Sequence, residues 1–175
     1  MIDIKDMELL KAAQEWARAE VFSTRFFIIF ATLFLAASAG FWQMGKTELA
    51  KAYVIPLLVA GVLLMTIGLG LFFTNKARIT QFEKAYHQDV SAFAASEIAR
   101  TESTLKEYTL VFKVVPMIII VAALLVIFIN TPTWRAIGIT TAAMMIVILM
   151  VDGTAHARIE AYYEQLLLVK NRLGI

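Results

Sequence analysis

Apolar residues in this chain gather into four long runs, at about residues 26–45, 52–74, 114–130 and 135–152, and polar stretches separate them. A helix rises about 1.5 Å per residue, so roughly 20 apolar residues cross about 30 Å of hydrocarbon. The run interiors hold no Asp, Glu, Lys, Arg or His; Thr32, Ser38, Thr66, Thr140 and Thr141 are their main polar groups. The fourth run is short before Asp152 and is expected to continue through Gly153, Thr154 and Ala155, with Asp152 near the interface.

The flanking stretches are amphipathic. Over residues 3–22, Leu10, Ala13, Ala17 and Val21 keep helical spacing with Trp16 beside them, while Glu8, Lys11, Glu15 and Arg18 share another face. In the central arm, residues 74–113, one register links Ile79, Phe82, Tyr86, Val90 and Phe93, and a second links Ile98, Thr101, Leu105, Tyr108 and Phe112. The step from Phe93 to Ile98 is out of phase, which predicts a turn within residues 88–96 with Ser96 as the cap of the returning helix. The tail sets Ile159, Tyr162, Leu166 and Val169 against Arg158, Glu160 and Lys170. Short loops are predicted at residues 45–50 and at Asn130-Thr131-Pro132-Thr133, where Pro ends one helix and restricts the residue before it.

Short matches recur in equivalent places. Ala17-Arg18-Ala19-Glu20 precedes the first run, and Ala99-Arg100-Thr101-Glu102 precedes the third. Thr74, Ala77, Arg78 and Ile79 follow the second run, as Thr154, Ala157, Arg158 and Ile159 follow the fourth. The predicted fold class is therefore an all-α integral membrane protein whose four transmembrane helices form two tandem helical hairpins of the same orientation. Residues 1–90 and 91–175 are the two repeats, related about an axis along the membrane normal. Amphipathic helical extensions would lie in the cytosol.

Composition supports the membrane reading: the chain is 60% hydrophobic with a mean hydropathy of +0.74. A net charge of +2, without a basic patch, leaves no footprint for nucleic acid. There is no Cys, so disulfides and thiolate chemistry are excluded. The N-terminal stretch lacks the continuous apolar segment of a signal peptide and carries no acylation motif. Among the Lys and Arg residues only Lys46, Lys51 and Arg135 fall in the short loops. The positive-inside rule then puts both termini and residues 76–107 in the cytoplasm, and the expected location is a bacterial inner membrane. Trp42, Tyr53 and Trp134 sit at the loop side, as an aromatic belt would.

Chemical motifs are sparse. Asp152-Gly153-Thr154-Ala155-His156-Ala157-Arg158 resembles the start of the CDP-alcohol phosphotransferase signature, which implies metal-dependent lipid chemistry. Here one extra residue separates Gly153 from Ala157-Arg158, and the further Asp ligands are missing downstream. Asp152 and His156 are four residues apart and can pair as a proton-sensitive switch, or simply as a solvated pair ending a span. Lys76 and Lys113 are other cations expected near Asp152. Arg18, Arg78, Arg100 and Arg158 hold repeat-related positions and can form a ring facing a partner or lipid head groups, or snorkel separately. Asp152, His156 and these arginines are the candidate interaction residues. No catalytic residue, cofactor or metal ligand is expected. The expected function is non-enzymatic: binding a protein partner through spans and cytosolic helices, as an assembly factor or a toxin-neutralising immunity protein. The alternative is an oligomeric ion channel or pore, packed through Ala36, Gly40, Gly61, Gly68, Gly70, Gly138 and Ala142. The expected partners are the lipid bilayer and a protein, a second copy of the chain included.

Overall fold

Helix α1 spans Ile4–Met44, α2 Glu48–Ala52, α3 Val54–Gln88, α4 Val90–Phe128 and α5 Pro132–Leu173. The computed structural model describes residues 4–173, with side chains over 8–171. Residue 3, where the first helix is expected to begin, lies outside the described residues. Four helices (α1, α3, α4 and α5) are long and apolar enough to cross a membrane. No break separates the amphipathic part of α1 from its apolar part, and α5 passes through Asp152 and Gly153 without interruption.

Breaks fall where local chemistry permits them. Gly45 follows α1, and a Cβ there would strike the carbonyl of Phe41. The expected loop at residues 45–50 is shorter than predicted. Thr47 accepts from the N–H of Ala50 at 3.1 Å and caps α2, with Glu48 in the first turn. Pro132 opens α5, where its missing N–H removes no helical bond.

The break inside the central arm is the single residue Asp89. Its Oδ1 accepts from the N–H of Ala92 at 2.9 Å, so Asp89 caps α4. Ser96, expected as the cap, instead donates to the carbonyl of Phe93 at 2.8 Å within the helix. The chain reverses at this point. Phe82 and Phe93 would stand about 16 Å apart along a straight helix, yet their ring centroids lie 5.7 Å apart. Asp89 is the better cap because it stands between the two helices, where its carboxylate meets an N–H that has no partner within α4.

The chain divides into two units. The apolar unit comprises residues 24–70 and 111–151. Phe27, Ala31, Leu64, Val147 and Val151 form its buried cluster. Helices approach closely at glycines. A Cβ on Gly68 would stand 2.9 Å from the Cβ of Phe27, and one on Gly138 2.7 Å from the carbonyl oxygen of Ala122. Gly61 lies equally close to Leu35, whereas Gly40 and Gly70 have open space. Three of the small residues suited to oligomer packing thus serve contacts within the chain. Gly138→Val is expected to destabilise the apolar unit by about 1–3 kcal/mol through overpacking, read as a lower melting temperature in detergent. Gly70→Val, in open space, should have no comparable effect.

Outward surfaces of this unit are apolar: Ile55, Met117, Ile127 and Phe128 are all more than 60% exposed. Only 11% of the apolar window of α4 is buried. Surface of this extent and composition is compatible with contact to lipid.

Among the described residues, the charged unit comprises 4–23, 71–110 and 152–173. Its core holds Leu9, Ala13, Trp16, Ala17, Phe82, Tyr86, Phe93, Ala94, Ile98, Ile159, Tyr162 and Leu166. The arm and tail stripes read from the sequence supply most of it. In α1 the buried stripe is Leu9, Ala13, Trp16, Ala17 and Glu20, while Lys11, Glu15 and Arg18 stay exposed.

Candidate functional site

Trp16 is the hub of the charged unit. It is 7% exposed. Its indole stacks on the ring of Tyr162 at 5.6 Å and 14°, and lies 6.4 Å from Phe82. The Arg100 guanidinium sits 4.3 Å from the indole centroid, and that of Arg78 5.8 Å. Both cations therefore lie within reach of the negative face of one aromatic system.

Two buried acids hold Arg100 and Arg158. Arg100 donates from Nε and Nη2 to the two carboxylate oxygens of Glu97, at 2.9 and 2.7 Å, a forked pair that fixes the guanidinium plane. The Tyr162 hydroxyl donates to Glu97 Oε2 at 3.0 Å. Glu97 is 4% exposed. Burial, then the charge and hydrogen bond of Glu97, push the Tyr162 hydroxyl well above the usual tyrosine range, so it stays a donor. Arg158 Nε donates to Glu20 Oε1 at 3.0 Å, tying α5 to α1. Burial raises the Glu20 carboxyl above its ordinary value, and Arg158 opposes that rise. Arg78 donates to Asn75 Oδ1 at 2.9 Å. Burial, and after it the charge of Arg100, loosen the hold of Arg78 on its proton. Trp16 Nε1, Thr101 Oγ1 and Arg158 Nη2 are buried without a hydrogen-bond partner.

Of the four arginines expected to form a ring, three converge, since the charges of Arg158, Arg78 and Arg100 all act on Glu20. Arg78 and Arg100 face Trp16, Arg158 holds Glu20, and Arg18 points to the exposed face of α1. Residues matched in the sequence repeat have different partners: Glu20 is buried against Arg158, whereas Glu102 accepts from the exposed Tyr163 hydroxyl at 2.7 Å. Sequence reasoning missed Glu20 and Glu97, because charge by itself reads as solvent-facing. The available signal was their helical spacing from apolar positions, Ala13–Trp16–Glu20 and Phe93–Glu97.

Asp152 and His156 do not pair. His156 Nδ1 lies 3.9 Å from Glu160 Oε2, and its ring meets Tyr108 edge-on at 5.5 Å. Among the described residues no cation comes within ion-pair distance of half-buried Asp152, neither Lys76 nor Lys113; the charge that acts on it is the like charge of Glu20. Asp152→Asn is therefore expected to raise stability, by on the order of 0.5 kcal/mol at a half-buried site. Thermal melting at neutral pH checks the sign. Among the described residues, no three His, Asp or Glu side chains gather as a metal ion requires.

A shallow groove lies beside this network. Ala94, Ala95, Ile98 and Ala99 form its floor along α4, and Glu102 and Lys170 stand at its rim. It encloses about 340 Å³. Small side chains let a second helix approach closely, and opposite charges at the rim can orient it.

No protein-family model, curated protein or solved structure matches the chain.

Proposed function

We propose that the chain is a non-enzymatic integral membrane protein that binds a protein partner, either a membrane assembly under construction or a toxin that it neutralises. The four apolar helices would cross a bilayer as two tandem hairpins of one orientation, residues 1–90 and 91–175. The charged unit would then stand in the cytoplasm with both termini, in a bacterial inner membrane. The observation that carries the reading is the alanine-floored groove of the charged unit, with Glu102 and Lys170 at its rim. Behind it stands a stapled core centred on Trp16, so the groove is held ready before any partner arrives. The exposed apolar flanks of the spans offer a second surface to the same partner.

Affinity isolation of tagged protein from solubilised membranes tests this. One partner is expected at stoichiometric level with the wild type. Ala95→Trp fills the groove from an exposed position, and should lose that partner while leaving the melting temperature unchanged. Recovery of the protein alone, or equal recovery of the partner by both variants, would count against the reading. Reproducible ion conductance of purified protein in liposomes would favour the pore instead. Gly61, Gly68 and Gly138, which a pore would draw on for packing between copies, already face neighbours within the chain.

A further inference from the structure

A crevice of about 540 Å³ opens in the apolar unit between the start of α3 and the start of α5. Pro56, Val59 and Ala60 line one wall, Thr133 and Thr140 the other, and Lys51 stands at its mouth. The α5 wall from Thr133 to Met144 is about 16 Å long at the helical rise. Its size falls in the range of sites that take small molecules.

Two polar features separate it from a chance gap between helices. Thr140 is 3% exposed, and its hydroxyl has no hydrogen-bond partner. Thr32 and Thr66, in comparable apolar helices, each turn the hydroxyl onto the carbonyl four residues back, at 2.8 and 2.9 Å. Thr140 forgoes that bond and lines the crevice instead. A buried hydroxyl without a partner is costly, so a ligand acceptor there would be stabilised. At the mouth, Lys51 is exposed and makes no ion pair among the described residues. Pro56 has no N–H to give the carbonyl of Ala52, four residues back, which adds a polar group beside the lysine.

We propose that this crevice holds one acyl chain of an anionic membrane phospholipid, with the phosphate at Lys51 and an ester carbonyl accepting from the Thr140 hydroxyl. An apolar slot, threonine hydroxyls along its α5 wall (Thr133, Thr140 and Thr141, of which Thr140 is buried without a partner) and a cation at the rim match the acyl chain, ester and phosphate of that molecule. Phosphatidylcholine fills the slot and brings the same phosphate, but its choline cation offsets that charge, so only an anionic lipid gives Lys51 a net counter-charge. The proposal rests on the helices crossing a bilayer and is independent of any protein partner.

Delipidated protein in a neutral detergent is mixed with phosphatidylglycerol or phosphatidylcholine of the same chains, and binding is read by native mass spectrometry and by melting temperature. The wild type should bind one phosphatidylglycerol about fivefold more tightly than phosphatidylcholine, the discrimination of one lysine facing a net anionic headgroup rather than a zwitterionic one. Lys51→Gln should abolish that preference. Thr140→Val should weaken both lipids alike. Val59→Trp, which fills the slot from a half-exposed position, should exclude both while the helical circular dichroism stays unchanged. Equal affinity of the wild type for the two lipids, or undiminished lipid on Val59→Trp, would overturn the proposal. Alkaline carbonate extraction separates the premises. Protein released by carbonate fails the spanning reading and this proposal with it; protein that is retained but does not discriminate between lipids fails this proposal alone.

Discussion

Replacing Trp16 by alanine is expected to destabilise the charged unit by about 3–5 kcal/mol, the range for a buried aromatic lost without repacking. The indole is 7% exposed, stacks on Tyr162 and carries Arg100 at 4.3 Å on its face. Its loss leaves a cavity and removes the aromatic partner of two half-buried cations, so the penalty should sit at the upper end of the range. The effect should also be local. Hydrogen exchange is expected to accelerate over residues 71–110 and 152–171, while the apolar unit, with its own cluster around Phe27 and Leu64, stays protected. Trp16→Phe, which keeps a ring for the stack and for the guanidinium, should cost markedly less.

Glu97→Ala should rank next. This carboxylate takes the forked Arg100 pair and the Tyr162 hydroxyl, and its side chain is 6% exposed against 21% for Arg100. Removing one member of a buried pair strands the other, at a cost of about 3–5 kcal/mol. Removing both need not. Glu97→Leu combined with Arg100→Met keeps apolar volume and a soft contact to the indole, so the double variant should melt higher than Glu97→Leu alone. A double-mutant cycle on melting temperature in detergent checks this. Simple additivity would mean that the pair contributes nothing beyond its separate packing.

How much of this was legible in the sequence depended on which physical signal was needed. The long helices were legible because uninterrupted apolar runs and 3.6-residue spacing are strong, additive signals over 20 residues. The arm stripes located the buried Phe82, Tyr86, Phe93 and Ile98, and their phase slip located the reversal to within a few residues. The cap was misassigned to Ser96 because several polar residues competed there, and only the backbone geometry decides which one stands outside the helix. The five-residue helix α2 was missed, since so short an element has no periodicity to detect.

The polar network was the least legible part. Arg100 and Glu97 are three residues apart, which any exposed helix also allows. That they are buried follows from Trp16 and Tyr162, which come from distant parts of the chain. Glu20 and Arg158 are 138 residues apart, and no local pattern joins them. The expected Asp152–His156 contact failed for a related reason. Both residues share a helix, but each neighbour comes from outside the pair: Glu160 and Tyr108 for His156, Glu20 for Asp152. Spacing shows which residues can meet and leaves open which partner wins.

The proposed arrangement requires α3 to cross a membrane between two aqueous faces. The chain has no native cysteine, so single cysteines placed at the exposed positions Lys46 and His87 label against no background. Intact and permeabilised cells are treated with a membrane-impermeant maleimide. The predicted result is labelling of Lys46→Cys in intact cells and of His87→Cys only after permeabilisation. Labelling of both positions from the same side would contradict it.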